Sequence, residues 1–182
     1  MYQKCYNIAI VNELLKGRNH VREIARKLKT NPMVISRRMK ELLKENVVDS
    51  SKEGRNKVYF LKKSVEAKAY VMMAENYKLK ELLEKYPTLR GAIEKIQKDE
   101  RIKLAVLFGS YAKGLAKSGS DIDVFVETKR KEIKKSLEMT DTNLSVKIGN
   151  FDIKSILVKE IIKNHVIIKG TEEFYEKIKF FE

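Results

Sequence analysis

Two short runs in the second half of the chain carry residue types that could do chemistry together. Gly109-Ser110 follows directly on the apolar run Ile102 to Phe108. Glycine has no Cβ and lets backbone approach a bulky anion, and serine adds a hydroxyl donor. After ten intervening residues come Asp121-Ile122-Asp123-Val124-Phe125-Val126. In a strand, side chains alternate between faces, so Asp121 and Asp123 point one way while Ile122, Val124 and Val126 point into a core. Two carboxylates on one face beside an anion-binding loop suit Mg²⁺ bridging to phosphates.

Other motifs fail on their residues. Gly109 and Gly114 have P-loop spacing, but Leu115 stands where the lysine belongs. No G-x-G-x-x-G argues for a dinucleotide and no G-x-S-x-G for a hydrolase. His20 and His165 are isolated, and with the single cysteine Cys5 there is no zinc constellation.

The elements that must position these residues alternate between strand and helix. Leu89, Ile93 and Ile96 mark a helix, and Ile102–Phe108 a buried strand. Ala112 opens a short helix, and Asp121–Val126 is the next strand. Helices are expected over 131–139, 158–163 and 172–180, with a strand at Val166–Ile168. Upstream, residues 64–86 lack Gly and Pro, so one long helix is expected, ended by Pro87. Such a helix serves as a spacer, as packing on its own chain, or as the seam of a homodimer.

The first third reads differently. Ile8, Val11, Leu14 and Leu15 form a helix that stops at Gly17; Asn19 caps a second through Leu28; Thr30-Asn31-Pro32 turns into a third that buries Ile35, Met39, Leu42 and Leu43. Two β-prone runs, Val47-Val48 and Val58–Leu61, flank a polar stretch holding Lys52, Gly54, Arg55 and Lys57. This segment is also the most basic. The chain has 182 residues and a formal charge of +14, with 39 Lys+Arg against 25 Asp+Glu. Residues 1–62 carry 15 of the basic residues and 6 of the acidic ones, so nearly two-thirds of the charge lies in one-third of the chain. A Lys-rich surface of ion pairs is the bland explanation; the asymmetry favours a phosphate backbone as partner.

Three helices and a basic-tipped hairpin resemble a winged helix-turn-helix. That resemblance implies duplex DNA binding, with Ser36, Arg37, Arg38 and Lys40 in the major groove and Arg55 and Lys57 of the hairpin on the backbone. In the second half, Leu107-Phe108-Gly109-Ser110 and Asp121-Ile122-Asp123 resemble the signature of minimal nucleotidyltransferases of the DNA polymerase β-like superfamily. The resemblance implies that Gly109 and Ser110 hold the phosphates of an incoming nucleoside triphosphate, usually ATP, with Lys113 at the family's basic position. It implies two Mg²⁺ ions held by Asp121, Asp123 and a third carboxylate on a neighbouring strand. Phe151-Asp152-Ile153 supplies the candidate, Asp152, over Asp141 and Glu127. Transfer of a nucleoside monophosphate to a hydroxyl follows, and many small members are antitoxins that attach AMP to a toxin, often a HEPN ribonuclease. A nucleotide-sensing transcription regulator without catalysis is the alternative.

The expected architecture is therefore α+β: a winged helix-turn-helix over 1–62, a connecting helix over 63–88, and a small mixed sheet flanked by helices over 89–182. A single cysteine excludes a disulfide scaffold and fits a reducing cytoplasm. No apolar run is long enough for a membrane span.

Overall fold

The computed structural model describes residues 5–139 and 141–182. The chain divides into two compact units, one ending at Tyr77 and joined by Phe181–Glu182, the other spanning Lys78–Phe180.

The first unit orders α1 (Tyr6–Leu15), β1 (Asn19–His20), α2 (Val21–Lys27), α3 (Pro32–Lys44), β2 (Val48–Glu53), β3 (Asn56–Leu61) and the first half of α4 (Val65–Lys85). Its core is Ile10, Val11, Ile24, Ile35, Met39, Leu42 and Val71, all fully buried or nearly so. Asn31 caps α3, its side-chain oxygen accepting from the Met33 N–H at 2.8 Å, and Pro32 occupies the first turn.

Two readings change here. Asn19 does not cap α2. It pairs with Tyr59 as part of β1, giving a three-stranded sheet in the order β1-β3-β2. The hairpin strands also run on to Glu53 and Asn56, closed by Gly54-Arg55 with Gly54 at φ +60°. Polar residues there hid the strands, because an exposed wing has no buried face to impose alternation.

The second unit holds α5 (Arg90–Lys98), β4 (Ala105–Leu107), α6 (Gly109–Ala112), β5 (Ile122–Glu127), α7 (Lys131–Glu138), β6 (Leu144–Gly149), α8 (Ile156–Lys163), β7 (Val166–Lys169) and α9 (Thr171–Lys177). The sheet order is β6-β5-β4-β7; β4 is antiparallel to both its neighbours and β5 is parallel to β6. This is the expected small mixed sheet with helices. One face packs Ile122, Val124, Val126, Leu144 and Val146 against Ile93, Ile96, Ile133 and Leu137. On the other, Phe125 meets Phe151 edge-on at 5.9 Å and Phe151 meets Phe174 at 5.4 Å.

Two expectations are corrected. The short helix begins at Gly109 rather than Ala112. Residues 151–153 form no strand: β6 ends at Gly149, and Asp152 sits in a turn. Among the described residues, no helix is long and apolar enough to cross a membrane.

Candidate functional site

β4 delivers the chain into Gly109-Ser110 beside the start of β5. Leu107 pairs with Val124, and the Phe108 N–H donates to the Asp123 carbonyl at 2.9 Å. Gly109 has φ +71°, and a Cβ built there would overlap Oδ2 of Asp123 and lie 3.2 Å from its Cγ. Both facts require glycine. Ser110 lies in the first turn of α6, where backbone N–H groups have no acceptor within the helix.

The loop that follows is closed on itself. Leu115 N–H donates to the Ser110 carbonyl at 2.9 Å, and Lys117 N–H to the Ser120 hydroxyl at 2.9 Å. Lys85 Nζ donates to the Gly114 carbonyl at 2.7 Å, and Tyr86 packs edge-on against Tyr111 at 4.9 Å. Lys85 and Tyr86 lie outside the motif, and only their place at the end of a long helix marked them.

Asp121 precedes β5 and is exposed; Asp123 is within it and half-buried. Burial, and then the charge of Asp121, push the Asp123 carboxyl above the ordinary carboxylate range, while Lys147 acts in the opposite sense. Like charges held this close favour a bound cation.

Of the other residues predicted for this site, Lys113 closes the turn, its N–H donating to the Gly109 carbonyl at 3.2 Å, and Asp152 lies elsewhere. Lys113 is tied to Glu160 of α8 at 3.0 Å, which holds the Glu160 carboxyl below its usual range. Asp152 follows the other end of the sheet. Glu127 pairs with Gly149 at the end of β5 and β6, and its Oε1 accepts from the Phe151 N–H at 3.0 Å. Glu127 lies four residue steps beyond Asp123 along β5, about 13 Å along a strand. Asp152 instead accepts the Lys154 N–H through Oδ1 at 2.9 Å, closing its own turn.

Beside Asp123, β6 presents Ser145 in register, and Lys147 two residues further on the same face. Sequence reading passed over this strand although Leu144-Ser145-Val146-Lys147-Ile148 alternates apolar and polar, the signature of a half-buried strand.

Among the described residues, no three His, Cys, Asp or Glu side chains gather closely enough to hold a metal by themselves. Asp121 and Asp123 are the two carboxylates that could hold one divalent cation here, leaving its other coordination positions to groups from outside the protein. A second ion lacks the third carboxylate expected for it.

In the first unit, Arg37 and Lys40 are exposed on α3 and Ser36 is half-buried beside them. Arg38 is drawn aside by Glu41 at 2.7 Å. At the wing, Arg55 is exposed in the turn, and Lys57 lies 5.3 Å from the centre of the Tyr59 ring.

Residues 90–177 match the family described as polymerase beta, nucleotidyltransferase, and residues 6–49 match winged helix-turn-helix DNA-binding. The chain thus joins a nucleotidyltransferase domain of the polymerase beta family to an N-terminal winged helix-turn-helix domain. No curated protein matches it. Among solved structures, the C30AH42A mutant of Lactococcus lactis ZitR is 20% identical, over 56% of this chain and 67% of that one, with a TM-score of 0.39. A toxin-antitoxin crystal structure with AMP-PNP is 22% identical, over 59% of this chain and 86% of that one, with a TM-score of 0.34. Both superpositions are too shallow to carry an argument.

Proposed function

We propose that the C-terminal domain binds a nucleoside triphosphate with Mg²⁺ and transfers its nucleoside monophosphate to a hydroxyl acceptor, while the N-terminal domain binds duplex DNA. The observation that supports this best is the close approach of Gly109 to Asp123, which joins the phosphate-binding turn to the carboxylate pair.

Gly109 lets the triphosphate near the backbone, and the Ser110 N–H and hydroxyl donate to its oxygens. Asp121 and Asp123 would hold the cation, which supplies charge neutralisation at the phosphates when bound. The acceptor hydroxyl oxygen attacks the α-phosphorus in line and releases its proton to solvent, while the bond from the α-phosphorus to the α–β bridging oxygen breaks and pyrophosphate leaves with that electron pair. ATP is the first nucleotide to test, and an AMP-accepting toxin is one macromolecular acceptor this chemistry suits. Arg37, Lys40 and Ser36 face the DNA groove, with Arg55 and Lys57 on the backbone.

A second reading, nucleotide sensing without transfer, draws support from Asp152, which lies beyond the far end of β6, so that among the described residues no third carboxylate joins Asp121 and Asp123. Both readings are tested by incubating the protein with α-phosphate-labelled ATP, Mg²⁺ and cell extract, beside an Asp121→Asn/Asp123→Asn variant. Label on a macromolecule with the native protein alone establishes transfer. Mg·ATP binding without transfer, lost in the variant, selects the sensor. Neither result would leave a DNA-binding protein with an inert companion domain.

A further inference from the structure

We infer that Lys147 is a phosphate-contacting positioning residue of the nucleotide site, its ammonium standing in for a second cation that Asp121 and Asp123 cannot hold. The inference rests on the reading that this site takes Mg²⁺ and a nucleoside triphosphate.

β6 runs parallel to β5 with Ser145 opposite Asp123 and Lys147 opposite Phe125. Residues in register share a face, so Asp123, Ser145 and Lys147 lie on one side of the sheet. One strand spacing across and two residues along put the Asp123 and Lys147 backbones about 8 Å apart, within reach of a lysine side chain lying along the sheet. Lys147 is exposed, and it forms no salt bridge among the described residues. The other lysines at the phosphate turn are engaged: Lys113 with Glu160 and Lys85 with the Gly114 carbonyl.

One dication set against two carboxylates leaves the phosphates of a bound triphosphate unneutralised. A third carboxylate on β6 would recruit another dication; Ser145 and Lys147 recruit none. Lysine offers a compact ammonium with three donors, a phosphate-binding point charge in its own right.

β6 is an edge strand, and an exposed lysine there also discourages pairing with other chains. That role would leave nucleotide affinity untouched, so binding separates the two. The full-length chain is titrated with Mg·ATP and with Mg²⁺ and AMP by calorimetry, as native protein, Lys147→Met and Lys147→Arg. We expect Lys147→Met to weaken ATP about tenfold, the scale of one charge-assisted contact. AMP binding should change little and Lys147→Arg should recover most of the loss. Mg²⁺ titrated with a non-hydrolysable ATP analogue should bind at one ion per site. Equal ATP affinity in native protein and Lys147→Met overturns the inference alone, as does a second bound ion. Failure of the native protein to bind Mg·ATP overturns the underlying reading and the inference with it.

Discussion

The Cα of Gly109 lies so close to the carboxylate of Asp123 that no side chain fits between them. The Gly109-Ser110 turn and the strand that carries Asp123 are therefore built against each other, and a change in one is felt in the other. Gly109→Ala is expected to cost about 1–2 kcal/mol for its left-handed backbone and to displace Asp123 as well. Gly119→Ala makes the control: φ is +81°, but a Cβ there meets open space. Both variants should lower the thermal midpoint, and only Gly109→Ala should abolish Mg·ATP binding. Equal nucleotide affinity in the two would refute the coupling.

Asp123 gives a prediction with a definite sign. Burial and Asp121 raise its native pKa above the ordinary value, so the folded chain holds that proton more tightly than the unfolded chain. Its contribution to stability is therefore present at low pH and is lost as pH rises through the raised value. At neutral pH its charge is a net cost until a cation neutralises it. Asp123→Asn should raise hydrogen-exchange protection across β5 at pH 7 without Mg²⁺, and Mg²⁺ should add nothing further. In native protein, Mg²⁺ should increase protection, and this gain should shrink on acidification. Reduced protection in the metal-free variant would sink this account.

On α3, the exposed cations and the paired one should behave differently. Arg37→Ala and Lys40→Ala are each expected to weaken duplex DNA binding and reduce the slope of log affinity against log salt by about one. Arg38 is held by Glu41, so Arg38→Ala should change that slope less than either. Fluorescence anisotropy at several salt concentrations reads all three. The largest slope change at Arg38 would reverse the assignment.

Asp152→Ala separates a ligand from a turn former. The Lys154 N–H would lose its acceptor, at a cost of about 0.5–1.5 kcal/mol, and Mg·ATP affinity should stay as in the native protein. A tenfold loss of affinity would return Asp152 to the metal site.

The sequence made the site's two halves legible because each depends on residue identity: glycine where backbone must come close, and aspartates two apart where a face must be anionic. It also made the helices legible, since their apolar spacing survives burial. It hid what only pairing reveals. β1 is two residues long and exists because Asn19 and His20 find β3. Asp152 was misplaced because Phe151 and Ile153 look β-prone. Yet Phe151 is spent on the aromatic cluster with Phe125, and Ile153 lies in the turn. The strand that does adjoin Asp123 lay just upstream, in an alternation that carried no acidic residue to draw attention.

β4 and β5 are antiparallel neighbours, so the chain leaves the sheet after Leu107 and returns to it at Ile122, close to where it left. The excursion between them starts and finishes at one place. Its length and content from Leu115 to Ser120 can thus vary without moving Gly109 or Asp123, provided its two ends stay anchored. That makes it a natural cassette: an exchangeable segment beside a fixed turn and strand, which could be lengthened or replaced while Gly109 and Asp123 stay in place.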